Sequence, residues 1–295
     1  MHLVRRRNGP AAFERFLRSY REHPAGAGHE LVILFKGFGA ECGAEYDRLL
    51  DGVPHQRLFL ADRGFDLKPY FAAVQRFDYR YFCFFNSFSR ILAADWLAKL
   101  YQAVAMPGVG LAGATGSYQS FATGHEERAR ELAKLGLGAR LAWRVRHIAA
   151  DPSLRGSAQR AAAWVLGAAG LWKPARHFPA FPNYHVRTNA FIAARDMLTR
   201  IRLQPMLFKL SAFALESGKG GITAQFVQLG LAARVVDRTG TAYERERWHL
   251  ANVFRQARQE DLLVADNQSD AYDNADAATR ADLSRQAWGR YARPA

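Results

Sequence analysis

Short apolar runs that stop abruptly at polar residues, with helical periodicity between them, most limit what this chain can fold into. Leu31-Val32-Ile33-Leu34-Phe35 stops at Lys36, and Arg57-Leu58-Phe59-Leu60-Ala61 stops at Asp62. The aromatic run from Tyr79 to Phe85 stops at Asn86 and Ser87, and Val109 to Ala112 gives way to Gly113 through Tyr118. Each has the length and the β-branched or aromatic content of a buried strand. Residues Ala44 to Leu50, Leu67 to Gln75 and the stretch carrying Trp96, Leu97 and Leu100 read as the intervening helices. This alternation predicts right-handed βαβ units and a largely parallel sheet, an α/β fold. Such sheets bind ligands at the carboxyl ends of their strands, which makes Lys36, Asp62, Asn86, Ser87 and Ser117 the first polar residues to consider.

A helix carrying Phe13, Phe16, Leu17 and Tyr20 precedes the first of these strands. From Glu126 to Trp172 the pattern turns helical and rich in Arg, and is read as an insertion. A loop dense in Pro and aromatic residues, Phe178 to Arg187, leads to a strand over Thr188 to Ala193. Helices near Met206 to Leu215 and up to Leu229, a strand at Arg234 to Asp237 and a tail helix over Ala277 to Trp288 follow. Asp266-Asn267-Gln268-Ser269-Asp270 reads as a segment that closes over the site or caps the following helix, with capping preferred.

The 295 residues carry 49% hydrophobic and 13% aromatic side chains, enough for a packed core. The net charge of +14 favours anionic partners. The Arg residues are dispersed rather than clustered, so nucleic acid is not the expected partner. Two cysteines, Cys42 and Cys83, make neither a disulfide framework nor a metal site and suit a reducing cytoplasm. No apolar segment follows the Arg5-Arg6-Arg7 cluster as a signal peptide would require, and the longest apolar stretch falls short of the ~20 residues of a membrane span.

Three motif-like strings fail on context. Gly108-x-Gly110-x-x-Gly113 matches a dinucleotide fingerprint, yet its glycines lie within a strand preceded by a helix. Gly218-Lys219-Gly220-Gly221 lacks the upstream glycine and the following Ser or Thr of a P-loop. Ser117 lacks a nucleophile elbow. What remains is distributed over successive strand ends, where a carboxylate can hold a ribose and basic groups can neutralise a diphosphate.

In their order along the chain these residues resemble a GT-A glycosyltransferase of the family 2 type, in its rhamnosyltransferase-like branch. Asp62-Arg63-Gly64-Phe65-Asp66 looks like a variant of the Asp-x-Gly-x-x-Asp segment after the second strand. Phe84-Phe85-Asn86-Ser87, Trp96-Leu97 and Val109-Gly110 follow in the family's order, and Phe181 to Phe191 corresponds to the acceptor-side segment. Glu216, ahead of Gly218 to Gly221, stands where the family has its catalytic Glu-Asp. The resemblance covers about Leu31 to Tyr243. It departs at Asn86-Ser87-Phe88, where the family's Asp-x-Asp would bind the divalent metal that bridges the donor phosphates.

The resemblance implies a GT-A-like mixed, mostly parallel sheet flanked by helices, with a helical insertion and a helical C-terminal tail. It divides a single 1–295 domain into a nucleotide-binding half (31–120), the insertion (121–177), an acceptor and catalytic half (178–266) and a tail (267–295). The implied activity is inverting transfer of a hexosyl group from a nucleotide-diphosphate donor to a glycan or lipid-linked acceptor, in bacterial polysaccharide synthesis. Glu216 would be the catalytic base. Lys36, Asp62, Asp66, Asn86, Ser87 and Lys219 would bind the donor, and Asn183, His185, Arg187 and Asn189 the acceptor. Metal ligands stay unassigned; His249 and Asp266 are the late-chain options, and Mn or Mg remains an open cofactor. The expected location is cytoplasmic, with peripheral contact at the inner membrane face. The alternative is a non-catalytic protein of the same fold that binds an anionic polymer or a membrane surface.

Overall fold

The computed structural model describes residues 1–62, 67–142, 173–204 and 209–293. Asp66, most of the basic helical insertion and the start of the helix near Met206 lie outside them.

The chain opens with a strand that the hydropathy reading does not anticipate, β1 (His2–Arg5). Helix α1 (Pro10–Glu22) begins with Pro in its first turn, where a missing N–H costs nothing. Then come β2 (Val32–Lys36), α2 (Ala44–Leu49), β3 (Gln56–Leu60), α3 (Leu67–Arg76) and β4 (Tyr81–Phe85). The short β5 (Arg90–Ile91), α4 (Trp96–Val104), β6 (Val109–Gly113), β7 (Gly116–Ser117) and α5 (Phe121–Ala133) follow. Past the insertion lie β8 (His185–Val186), β9 (Ala190–Ala194), the helices Lys209–Ser217 and Ile222–Gln228, β10 (Ala232–Val236) and β11 (Ala242–Tyr243). The chain ends with β12 (Val264–Ala265) and the helices Asn267–Asp273 and Ala277–Trp288.

Among the described residues an eight-stranded sheet runs in the order β11-β10-β6-β9-β4-β1-β2-β3. β3, β2, β1 and β4 are mutually parallel, and β10 is parallel to β6. The strand read over Thr188 to Ala193 is β9, and it enters antiparallel between β4 and β6. The sheet is therefore mixed and mostly parallel, as expected. β1 is an interior strand, third from the β3 edge, paired on one side with β2 (Arg5 opposite Lys36) and on the other with β4 (His2 opposite Phe85).

Alternation along the strands feeds two cores. Leu3, Val32, Leu34, Phe82 and Phe84 point to the face covered by α3. Val4, Ile33, Phe35 and Phe85 point to the face covered by α1, α2 and α4. Tyr70 of α3 stacks on Phe84 with ring centroids 4.6 Å apart, and Trp96 of α4 meets Phe85 edge-on at 5.2 Å. Burying one such ring stabilises by roughly 1.5–3 kcal/mol, so the aromatic run of β4 ties helices to both faces. The strand order reverses between β1 and β4, because β2 and β3 build outward on one side while the chain returns on the other. Ligands of open α/β sheets bind where the strand order reverses; here β4 ends level with His2, the first residue of β1, so Arg5 stands three residues beyond Phe85. No helix among the described residues is long and apolar enough to cross a membrane.

Candidate functional site

Two groups of polar side chains lie on either side of this reversal. The first is built by register. Arg5, Lys36 and Leu60 end β1, β2 and β3 at the same level, and the chain leaves β3 toward Asp62. Arg5 Nη2 and Lys36 Nζ stand 3.6 and 3.7 Å from Asp62 Oδ1. Both cations are buried, while the Asp62 side chain keeps 51% of its surface exposed. Gly37 sits at φ +79°, and a Cβ there would stand 3.1 Å from Asp62 Cβ. The first three strand ends thus present one carboxylate outward on a buried cationic base.

The second group gathers where β4 ends. Asn86 Oδ1 accepts from Phe88 N (2.9 Å) and Ser89 Oγ (3.1 Å), which folds the exit into a tight turn. Asn86 N donates to Asn189 O (3.0 Å), joining the exit to the start of β9. Asn189 is buried: its Oδ1 accepts from Thr115 Oγ1, and its Nδ2 donates to Val264 O (3.2 Å). Asn189 is therefore a staple among three segments.

Two residues before Asn189, Arg187 is also buried. Its Nη2 meets Asp266 Oδ2 at 3.0 Å, and its guanidinium lies 3.8 Å from the centroid of the Phe254 ring. Arg255 lies against the same ring at 4.9 Å. Asp266 caps the helix Asn267–Asp273, as the sequence suggested: Oδ1 accepts from Gln268 N and Ser269 N, both at 3.0 Å. Asn86 Nδ2 lies 3.5 Å from its Oδ2. Burial alone would raise the Asp266 carboxyl; the Arg187 charge and the donated hydrogen bonds outweigh it and hold the group below its ordinary value.

Glu216, near the end of the helix Lys209–Ser217, joins this group through Thr188. Its Oε1 accepts from Thr188 N (2.9 Å) and Thr188 Oγ1 (3.1 Å). His185 is buried, and its Nδ1 stands 2.9 Å from Asn183 O. A carbonyl can only accept, so Nδ1 carries the proton and Nε2 bears the lone pair of the neutral ring. Burial pushes the imidazole below its ordinary value, against the pull of the Glu216 carboxylate. Asn183 Nδ2 donates to Ser217 O (2.7 Å) and Gln119 O (3.2 Å), so this side chain too ties loops together.

Backbone and side-chain bonds therefore link Asn86, Asn189, Arg187, Asp266 and Glu216, with His185 and Asn183 beside them. Ser87 is buried next to Asn86. Lys36 and Asp62 form the neighbouring group. Lys219 is turned elsewhere, its Nζ donating to Ala175 O at 2.7 Å. Ser117 is buried in β7 with its Oγ on Ala287 O (3.2 Å), and His249 packs against Tyr118. Asp66 lies outside the described residues.

Arg5, Thr188 and Arg255 escaped the sequence reading. Arg5 ends a run too short to stand out, and in the sequence it is one of the N-terminal cluster Arg5-Arg6-Arg7. Nothing local marks Thr188, whose partner Glu216 is distant in sequence, or Arg255, which only the fold brings to Arg187 across Phe254.

A divalent cation does not fit the residues at the β4 exit. Hard cations want several carboxylate oxygens. Here Asn86 offers an amide and Ser87 a hydroxyl, and all four acceptor positions of Asp266 are already used. Asp62 faces two cations. Among the described residues no three His, Cys, Asp or Glu side chains converge on a common point.

Two solved structures align with most of this chain. One is the mannosyltransferase PcManGT from Pyrobaculum calidifontis in complex with GDP-Man and Mn2+, at 12% identity and a TM-score of 0.46 over 85% of this chain and 59% of that one. The chain thus spans about three-fifths of the mannosyltransferase's length. The other is mouse xyloside xylosyltransferase 1 in its apo form, at 13% identity and a TM-score of 0.38 over 81% of this chain and 84% of that one. Likeness at these levels carries no argument about the present chain. No protein-family model matches it, and no curated protein does.

Proposed function

We propose that the chain is a glycosyltransferase that moves a hexosyl group from a nucleotide-diphosphate sugar to a hydroxyl of a glycan or lipid-linked acceptor, with inversion. The observation that carries this reading is that two polar groups, on either side of the β1–β4 reversal, supply side chains suited to each part of such a reaction. Asp62, held outward by Arg5 and Lys36, is placed to accept hydrogen bonds from a ribose. Asn86 and Ser87 leave β4 where the diphosphate and donor sugar would lie. Glu216 approaches the same exit through Thr188, the residue before Asn189, which is itself bonded to Asn86.

In the reaction Glu216 removes the proton of the acceptor hydroxyl. The acceptor oxygen attacks the anomeric carbon from the face opposite the diphosphate, and the carbon–oxygen bond to the leaving group breaks with its electron pair. Thr188 fixes one oxygen of Glu216, so the other receives the proton. The neutral Nε2 of His185 can accept a hydrogen bond from the acceptor. Lys219, engaged with Ala175, takes no part in this scheme. The +14 charge suits polysaccharide or lipid-linked substrates at an acidic membrane face on the cytoplasmic side.

The test is transfer or hydrolysis of nucleotide sugars by the wild type and by Glu216→Gln. Loss of a general base costs about 10²- to 10⁴-fold in turnover. Turnover of the variant within a few-fold of wild type would remove Glu216 from that role. If no nucleotide diphosphate binds, and binding to anionic polymer falls steeply with salt, the chain is instead a binder of such polymers.

A further inference from the structure

We propose that the diphosphate is held by an arginine cradle, formed by Asn86, Ser87, Arg187 and Arg255 around Asp266, that does the work of a divalent cation. This deepens the preceding reading and rests on it for the identity of the ligand.

The first argument is charge. Two guanidinium groups, Arg187 and Arg255, lie against the single Phe254 ring with one carboxylate, Asp266, to balance them. Burial, then repulsion from Arg187, lowers Arg255 to about 10. Arg255 is half-buried, so an anion beside it is attracted more strongly than at an open surface. A guanidinium also matches phosphate oxygens with paired donors.

The second argument is hydrogen bonding. Ser87 Oγ, Arg187 Nη1 and Arg255 Nε are buried, and none has a hydrogen-bond partner. Buried donors in folded proteins are nearly always paired, so two on guanidiniums against one ring, with a third on the residue after Asn86, call for an explanation. A ligand rich in acceptor oxygens supplies one. Asp266 sets the arrangement by clamping Arg187 through Nη2, which leaves Nη1 for the ligand. The half-buried Asn86 and Arg255 give the cluster its open side.

The loop that carries Arg255 is built for placement. Asn252, Arg255, Ala257 and Gln259 all adopt positive φ, between 45° and 53°. Such backbone persists only where its surroundings enforce it. Gln259 Oε1 accepts from Arg255 N (2.8 Å), and its Nε2 donates to Ser269 O and Asp273 Oδ1. Gln256 Nε2 donates to His249 O and Tyr291 O, both at 2.9 Å.

The experiment is calorimetric titration of the full chain with GDP, UDP, ADP and dTDP, and separately with inorganic pyrophosphate, in EDTA and in Mn2+. Arg255→Gln removes the half-buried cation. Arg187→Met with Asp266→Asn removes the buried ion pair together, and Asn still caps the helix. The expected result is diphosphate binding that survives EDTA and weakens at least tenfold in each variant, with unfolding still cooperative. Binding that requires Mn2+, or variants that bind as the wild type does, would overturn the cradle. So would a wild type that binds neither class of probe. Arginine-dependent binding of pyrophosphate without binding of any nucleotide would uphold the cradle and remove the glycosyltransferase reading.

Discussion

At the scale of single residues, Asp266 holds the most connections at the site. It caps a helix, clamps Arg187 and reaches Asn86. Asp266→Asn keeps the cap but leaves Arg187 buried without a counter-charge, so chemical denaturation is expected to show a loss of about 3–5 kcal/mol. Replacing Arg187 by Met as well should restore much of that loss. The pH dependence follows from the lowered Asp266 carboxyl. A depressed folded value gives stability that is complete above the unfolded value and lost as pH falls toward the folded one. The gap between wild type and Asp266→Asn should therefore narrow below about pH 4. The sequence reading placed Asp266 in a cap correctly, because capping is local and leaves a local signature. Its pairing with Arg187, 79 residues away, leaves none.

At the scale of elements, most strands and helices were legible because hydrophobic periodicity is a local consequence of which face is buried. β1 was the exception. Four residues that run into an arginine cluster do not announce a strand, yet Leu3 and Val4 of this interior strand are buried in opposite cores. Leu3→Ala should cost about 2–5 kcal/mol, as for any large core side chain. A cost below 1 kcal/mol in equilibrium unfolding would mean that β1 is a peripheral arm. The Gly108, Gly110 and Gly113 string has a packing explanation. Gly108 turns the chain at φ +75°, and a Cβ on Gly110 would stand 2.7 Å from both Leu231 and Phe226. A Cβ on Gly113 would overlap Val186. Gly110→Ala is expected to destabilise by about 1–3 kcal/mol through overpacking, measured as a lowered unfolding midpoint, without bearing on nucleotide binding.

At the scale of the whole molecule, the order of strands locates the site. The reversal between β1 and β4 separates the Arg5 group from the exit of β4, and β9 enters antiparallel to bring Asn189, and Arg187 before it, beside that exit. A ligand seated there should stabilise the entire fold. At a hundredfold excess over its Kd, a nucleoside diphosphate adds about 2.7 kcal/mol, and thermal unfolding should rise by several degrees. An unchanged Tm at that excess would show that the ligand does not bind the native chain.

The amino-acid sequence by itself determined the α/β class, most of the elements, the polar strand ends and the lack of a carboxylate in Asn86-Ser87-Phe88. All of these are readable from runs of neighbouring residues, because burial imposes a period of about two on strands and 3.6 on helices. Only the tertiary structure decided that β1 is an interior strand of the sheet, that Lys36 and Arg5 share Asp62, and that Arg187, paired with Asp266, meets Arg255 against Phe254. Those contacts join residues far apart in the chain, and their energies depend on burial and on which charges fall within a few ångströms of one another. No property of a local stretch encodes either quantity.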